Sequence, residues 1–314
     1  MRTVLNRGLG LVLASALLVG AAACGDDDAA SDGGAAAIVV TSNIVGDVVR
    51  NLVGDAATVE VLMPPNANPH DFAASARQAS DMRKAAVLVT NGLGFEAGLD
   101  DAIDAAAGDG VPVIALAELA PDLLPLGEHD EDEEAHGAED PHVFTDPARM
   151  AVATAALADE LRAHVDGLDT VAFRERAAAY VDQLEALDAE VEQIVSAIPA
   201  ERRVLVTNHE VFGYFADRYG FEVLGSIIPA GDTLSEPSAD ELADLAAEIR
   251  AAGVPAIFAE TSSPTRLADA LASEGTDVQV VELYSESLGE AGSGAETYID
   301  LIRTDARRIA AALT

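Results

Sequence analysis

Cysteine is nearly absent from this chain. Cys24 is the only one among 314 residues, so no internal disulfide can form. Lysine is as scarce: Lys84 stands alone, and 18 basic residues face 55 acidic ones for a formal charge of −37. Phosphate binding requires clustered Lys and Arg, so nucleic acid is excluded as a partner. A membrane-spanning run is lacking too, because the apolar stretch from Leu9 to Val19 is too short to cross a bilayer as a mature helix. No HExxH spacing occurs, nor any other hydrolase spacing. What is present is apolar: half the residues are hydrophobic, which makes the chain globular rather than disordered.

The first 23 residues read as a leader. Arg2 and Arg7 give a positive start, Leu9–Val19 an h-region, and Ala21, Ala22 and Ala23 a small-residue exit directly before Cys24. This arrangement resembles a bacterial lipobox, with Ala21 where leucine is usual. The resemblance implies cleavage before Cys24 and lipidation of its thiol. Residues 24–35 are small, acidic and non-periodic, the composition of a flexible tether. About 280 residues then remain, enough for two ordinary domains or one large one. Loss of the leader removes two arginines and no acid, so the mature chain is still more acidic. Such a surface suits solubility outside the cell and attracts cations without forming a specific site.

Short β-rich runs alternate with helical patterns. Ala37–Thr41, Thr58–Met63, Ala86–Thr90 and Val111–Ala115 read as strands, with helical segments at Asn43–Leu52, Ser75–Ala85 and Phe95–Ala107. The second half repeats the plan with strands at Val204–Thr207, Phe221–Leu224, Ala256–Ala259 and Val278–Leu283. The expected fold class is α/β: two lobes, each a mostly parallel sheet flanked by helices. Between them, Phe173, Ala177, Tyr180, Leu184, Leu187, Val191, Ile194 and Ile198 recur at spacings of 4 and 3. That stripe predicts one long helix from about Thr170 to Ile198, roughly 40 Å in length, ended by Pro199. The expected organisation is a leader at 1–23, a tether at 24–35, an N-terminal lobe at 36–168, the linking helix at 169–199 and a C-terminal lobe at 200–314.

Six histidines occur, at 70, 129, 136, 142, 164 and 209. His70 lies in a Pro/Asn-rich loop directly after a strand, and His209 follows the strand Val204–Thr207. Ligands in α/β sheets gather beyond the carboxyl ends of strands, so these two are placed for a site, one in each half. His142 sits in a loop before a helix. His164 lies on an amphipathic helical pattern with Leu157, Leu161, Val165 and Leu168, a structural setting.

Three blocks carry a resemblance. They are Pro69-His70-Asp71-Phe72, the run from Asp140 to Pro147 (DPHVFTDP), and the run from Asn208 to Gly220 (NHEVFGYFADRYG). The stretch Leu283–Gly289 (LYSESLG) resembles a fourth. In this order and across the mature chain, they resemble the signature blocks of the zinc/manganese ABC-importer solute-binding family. The resemblance implies one buried ion between two lobes, held by His70, His142, His209 and the carboxylate of Glu286, where the family usually has Asp. It also implies a rigid interdomain helix. Manganese-type members tend to carry a carboxylate where His209 stands, so zinc is the expected cargo, with manganese or iron the alternative. Three imidazoles and one carboxylate suit tetrahedral Zn²⁺, whereas manganese favours oxygen-rich sites. The implied protein is a monomer lipid-anchored at the outer face of the cell membrane, delivering its ion to a membrane permease rather than acting as an enzyme. A zinc hydrolase with Glu210 as base is the rival; it needs an open coordination position that four protein ligands close.

Two further features stay open at this level. Asp71, Asp146 and Glu210 adjoin the ligands and either accept the second imidazole N–H or serve turns and caps. The segment 127–140 holds eight acids together with His129 and His136 and almost nothing apolar. It is either a plain acidic insertion or an auxiliary zinc-capturing loop.

Overall fold

In the computed structural model, which describes residues 37–126, 139–228, 237–273 and 278–314, the alternation of strand and helix closes into two parallel sheets. The leader, Cys24, the tether, His129 and His136 lie outside the described residues. The first sheet holds β1 (Ala37–Val40), β2 (Thr58–Val61), β3 (Val87–Thr90) and β4 (Val113–Ala115) in the order β2-β1-β3-β4. The second holds β5 (Val204–Thr207), β6 (Glu222–Ser226), β7 (Ala256–Glu260) and β8 (Gln279–Leu283) in the order β6-β5-β7-β8. All pairings between these strands are parallel, and the two orders are the same pattern written twice. Strands such as β3 and β7 are buried along their whole length, as parallel strands covered on both faces must be.

Local chemistry sets the helix starts. Ser42 caps α1 (Asn43–Val53) by accepting from the Val45 amide, and Ser75 with Gln78 forms a capping box at α2 (Ala76–Met82). The helix predicted from Phe95 begins later: a short 3₁₀ turn at Ala97–Leu99 leads into α3 (Asp100–Gly108). Two side-chain commitments delay it. Phe95 is fully buried, and the Glu96 carboxylate turns back to accept from the Thr41 hydroxyl and the amides of Asn91 and Gly92. Asp146 caps α4 (Pro147–His164), with proline at the first helical position.

The long stripe becomes α5 (Val171–Val195), capped by Thr170. Its buried residues are the expected ones up to Val191; thereafter Val195 takes the inward position and Ile194 is only half-buried. A true 3.6-residue period, rather than a strict 3–4 alternation, turns Val195 to the core. One apolar cluster runs from α1 (Val48, Leu52) through α5 (Leu184, Leu187) to Leu301 and Ile309 on the last helix, Tyr298–Leu313. The two lobes are thus joined by shared core. Polar ties reinforce the join: the Tyr298 amide donates to Asp47 at 2.9 Å, and Arg303 pairs with Glu190 at 2.9 Å. Leu184, with no exposure, sits in this shared cluster. Its replacement by alanine is expected to cost about 2–5 kcal/mol of stability, read as a lower denaturant midpoint. A loss under about 0.5 kcal/mol would show that α5 is not a packed spine.

Candidate metal centre

The carboxyl ends of three strands and the entry to α4 each deliver one side chain to a common point. His70 comes from the loop after β2, His209 from the loop after β5 and Glu286 from the loop after β8. His142 comes from the turn preceding Val143–Thr145 and α4. Glu286 Oε1 is the focus: it lies 2.7 Å from His70 Nε2, 3.0 Å from His209 Nε2 and 3.3 Å from His142 Nε2. The four ligand atoms all fall within 4.8 Å of one another. The residues singled out from the sequence are therefore the ones brought together, and the extra methylene of Glu286 does not carry it out of reach. His142, His209 and Glu286 are buried, while His70 keeps 12% side-chain exposure and forms the edge nearest solvent.

The local sequence explains how the rings are held. Asn68-Pro69-His70 and Asp140-Pro141-His142 are the same device used twice. In each, the Asx side chain accepts the His backbone N–H at 2.9 Å, an Asx turn stiffened by the intervening proline. Phe95 meets the edges of both rings, at 5.4 Å from His70 and 5.9 Å from His142, and Phe144 packs on His142 at 5.9 Å. Asn43 joins the loops. Its amide donates to the Pro64 carbonyl at 2.9 Å and to Ser287 Oγ at 2.8 Å, and its oxygen accepts from the Leu288 amide at 2.8 Å. One side chain at the start of α1 thereby couples the His70 loop to the Glu286 loop.

The outer partners of the rings differ from those nominated by adjacency. His142 Nδ1 faces Asp140 Oδ1 at 2.7 Å, and His209 Nδ1 meets Glu260 Oε1. Asp146 is instead occupied as the α4 cap and as the partner of Arg149, Asp71 is exposed, and Glu210 lines a neighbouring cleft of about 280 Å³ with Phe212 and Val223. His164 is exposed on α4 and pairs with Glu160 at 3.5 Å. Asp140 was not singled out from the sequence; the signal that marks it is the repeated Asx-Pro-His pattern. Glu260 had a fainter signal: a lone acid closing the otherwise apolar strand AIFAE.

Burial disfavours charge on His142, His209 and Glu286 and is the largest influence on each. It pushes His142 and His209 down and Glu286 up. Their mutual attraction outweighs it. Asp140, then Glu286, bring His142 from 6.5 up to about 9, and Glu260 with Glu286 hold His209 well above its ordinary value. His209, His142 and His70 hold the Glu286 carboxyl well below the usual carboxylate range. The cluster thus stabilises positive charge beside a buried carboxylate. Three imidazole nitrogens and one carboxylate oxygen within 4.8 Å of one another are the donor types that suit a tetrahedral divalent ion, whose binding displaces protons from such rings.

Comparison with known proteins agrees with this geometry. Residues 38–312 match the family model described as zinc-uptake complex component A, periplasmic. The zinc-binding protein TroA of Treponema pallidum is 36% identical over 278 residues, 87% of each chain. The manganese-binding lipoprotein MntA of Bacillus subtilis is 30% identical over 282 residues, 87% of this chain and 88% of that one. The solved structure of the periplasmic zinc-binding protein TroA superposes with a TM-score of 0.78 at 34% identity, covering 90% of this chain and all of that one.

Proposed function

The chain belongs to the zinc-uptake component A family of metal-binding proteins of ABC importers, and on that premise we propose that it captures Zn²⁺ outside the cytoplasm and hands it to a membrane permease. It is a binding protein, not an enzyme. The observation that carries the reading is the convergence of His70, His142, His209 and Glu286, two from each half of the chain, within 4.8 Å. These four are the proposed ligands. Zinc is favoured over manganese because three of the donors are imidazoles. Four protein donors also leave no open position for an activated water, which argues against the hydrolase.

The finer parts of the reading concern delivery. Cys24 carries a lipid that holds the protein at the outer face of the membrane, residues 24–35 are its tether, and the permease receives the ion. His129 and His136 act as auxiliary capture groups within the acidic segment. Deleting residues 127–138 is expected to leave one tight site and slow the uptake from dilute zinc; an unchanged capture rate removes the auxiliary role.

Titration of protein purified without added metal tests the main claim. The expected result is one equivalent of zinc bound tightly per chain, retained in the presence of an equal concentration of Mn²⁺. Absence of uptake, or preference for Mn²⁺, overturns it.

A further inference from the structure

Glu260 is a buried acid with one visible purpose. It closes β7 at 3% exposure, and its carboxylate meets His209 Nδ1. Among the described residues no other donor reaches either of its oxygens. A carboxylate in this position is costly unless a charged or strongly donating group faces it. Asp140 is placed differently: it sits two residues from His142 and also accepts that residue's own amide. Glu260 lies 51 positions from His209 in sequence and reaches it through the sheet. β7 pairs with β5, the strand that leads to His209, and the Thr261 amide bonds to Leu283, the last residue before the Glu286 loop begins. Glu260 therefore stands between the strands that deliver the two ligands of the C-terminal lobe.

We propose that Glu260 is a positioning residue of the metal centre, acting through His209. An imidazole has two nitrogens and can ligate through only the one that carries a lone pair. By accepting the Nδ1–H, Glu260 holds the ring so that the Nε2 lone pair points to the junction with Glu286, and its charge strengthens the ring as a donor to a dication. The backbone of a central strand fixes the acceptor more rigidly than a loop does, so the ring is aligned before the ion arrives. This inference rests on the proposed binding of a divalent cation at the four-residue centre.

Two variants test it. Glu260→Gln keeps an acceptor oxygen and removes the charge; Glu260→Ala removes both. Zinc affinity is measured by chelator competition, and the His209 Nδ1–H proton of the zinc-loaded protein is followed by NMR after ¹⁵N labelling of histidine. Outer partners of metal-bound histidine change affinity by about 10- to 100-fold. The glutamine variant is expected at the lower end with its downfield, slowly exchanging Nδ1–H retained, and the alanine variant at the upper end with that signal lost. An affinity for Glu260→Ala within about twofold of wild type, or an unchanged Nδ1–H resonance, overturns the proposal. If the alanine variant does not fold, the glutamine variant decides: binding equal to wild type overturns the part assigned to charge. Failure of the wild-type protein to bind zinc overturns the functional reading instead, a different and separately visible result.

Discussion

Replacing His209 by alanine is expected to abolish tight zinc binding and to weaken the metal-free fold in the same step. The ring is fully buried and touches two carboxylates, Glu286 through Nε2 at 3.0 Å and Glu260 through Nδ1. Loss of a ligand removes a bond to the ion itself, so the affinity loss must exceed the about 10- to 100-fold that outer partners command. Removing one partner of a buried ion pair leaves an uncompensated charge and costs about 3–5 kcal/mol. Here the abandoned group is Glu260, which has no other donor among the described residues, while Glu286 keeps His70 and His142. Chelator competition reads the first effect, and denaturant unfolding of metal-free protein reads the second. His164→Ala is the control: that ring is exposed and pairs with Glu160, so under about 1 kcal/mol and no change in zinc stoichiometry are expected. One tight equivalent of zinc surviving in His209→Ala would sink the assignment of the centre.

The same residue shows what a sequence can and cannot disclose. His209 was visible because the four-residue strand Val204–Thr207 ends just before it, and strand ends are where parallel sheets collect ligands. His70 was visible for the same reason, after β2. The blocks around His142 and Glu286 were legible mainly through their resemblance to a known family, since neither spacing alone dictates that the two meet. The lobes and the linking helix were legible because short apolar runs bounded by turn residues and a period-3.6 stripe report local burial. The final turn of α5 shows the limit of that pattern, where Val195 displaces Ile194. Non-local polar pairing was not legible. Adjacency in the chain left Asp71, Asp146 and Glu210 open as ring partners or as turn and cap residues, and Asp146 takes the second role, accepting from the Ala148 and Arg149 amides of α4. Glu260 reaches His209 through strand pairing, and Asn43 reaches Ser287 across 244 positions. Such contacts are set by the packing of elements, and no periodicity along the chain encodes them.

Zinc affinity is expected to fall about ten-thousandfold between about pH 7.5 and 5.5, because each proton that must be displaced costs about tenfold per pH unit. Two protons are counted. In the metal-free protein Asp140 and Glu286 push His142 up to about 9 against the effect of burial, and Glu260 with Glu286 holds His209 well above 6.5, so both rings favour the protonated form as pH falls through this range. The protons belong to the coupled cluster rather than to either ring separately. Glu286, held well below 4.5, stays charged throughout and contributes none. The stability of the two forms should diverge accordingly. The raised histidines stabilise the metal-free fold fully below about pH 6.5, and this is lost as pH rises toward about 9. The depressed Glu286 contributes above about 4.5 and loses its contribution as pH falls below that. The zinc-bound fold has the reverse dependence on the rings, since only the neutral imidazole ligates. The rise in Tm on adding zinc should therefore shrink steadily from alkaline to acid pH. Calorimetric titration in buffers of different ionisation enthalpy counts the protons directly. A count near zero at pH 7, with affinity unchanged to pH 5.5, would mean that the buried rings hold no exchangeable charge and that the ion does not enter by replacing protons.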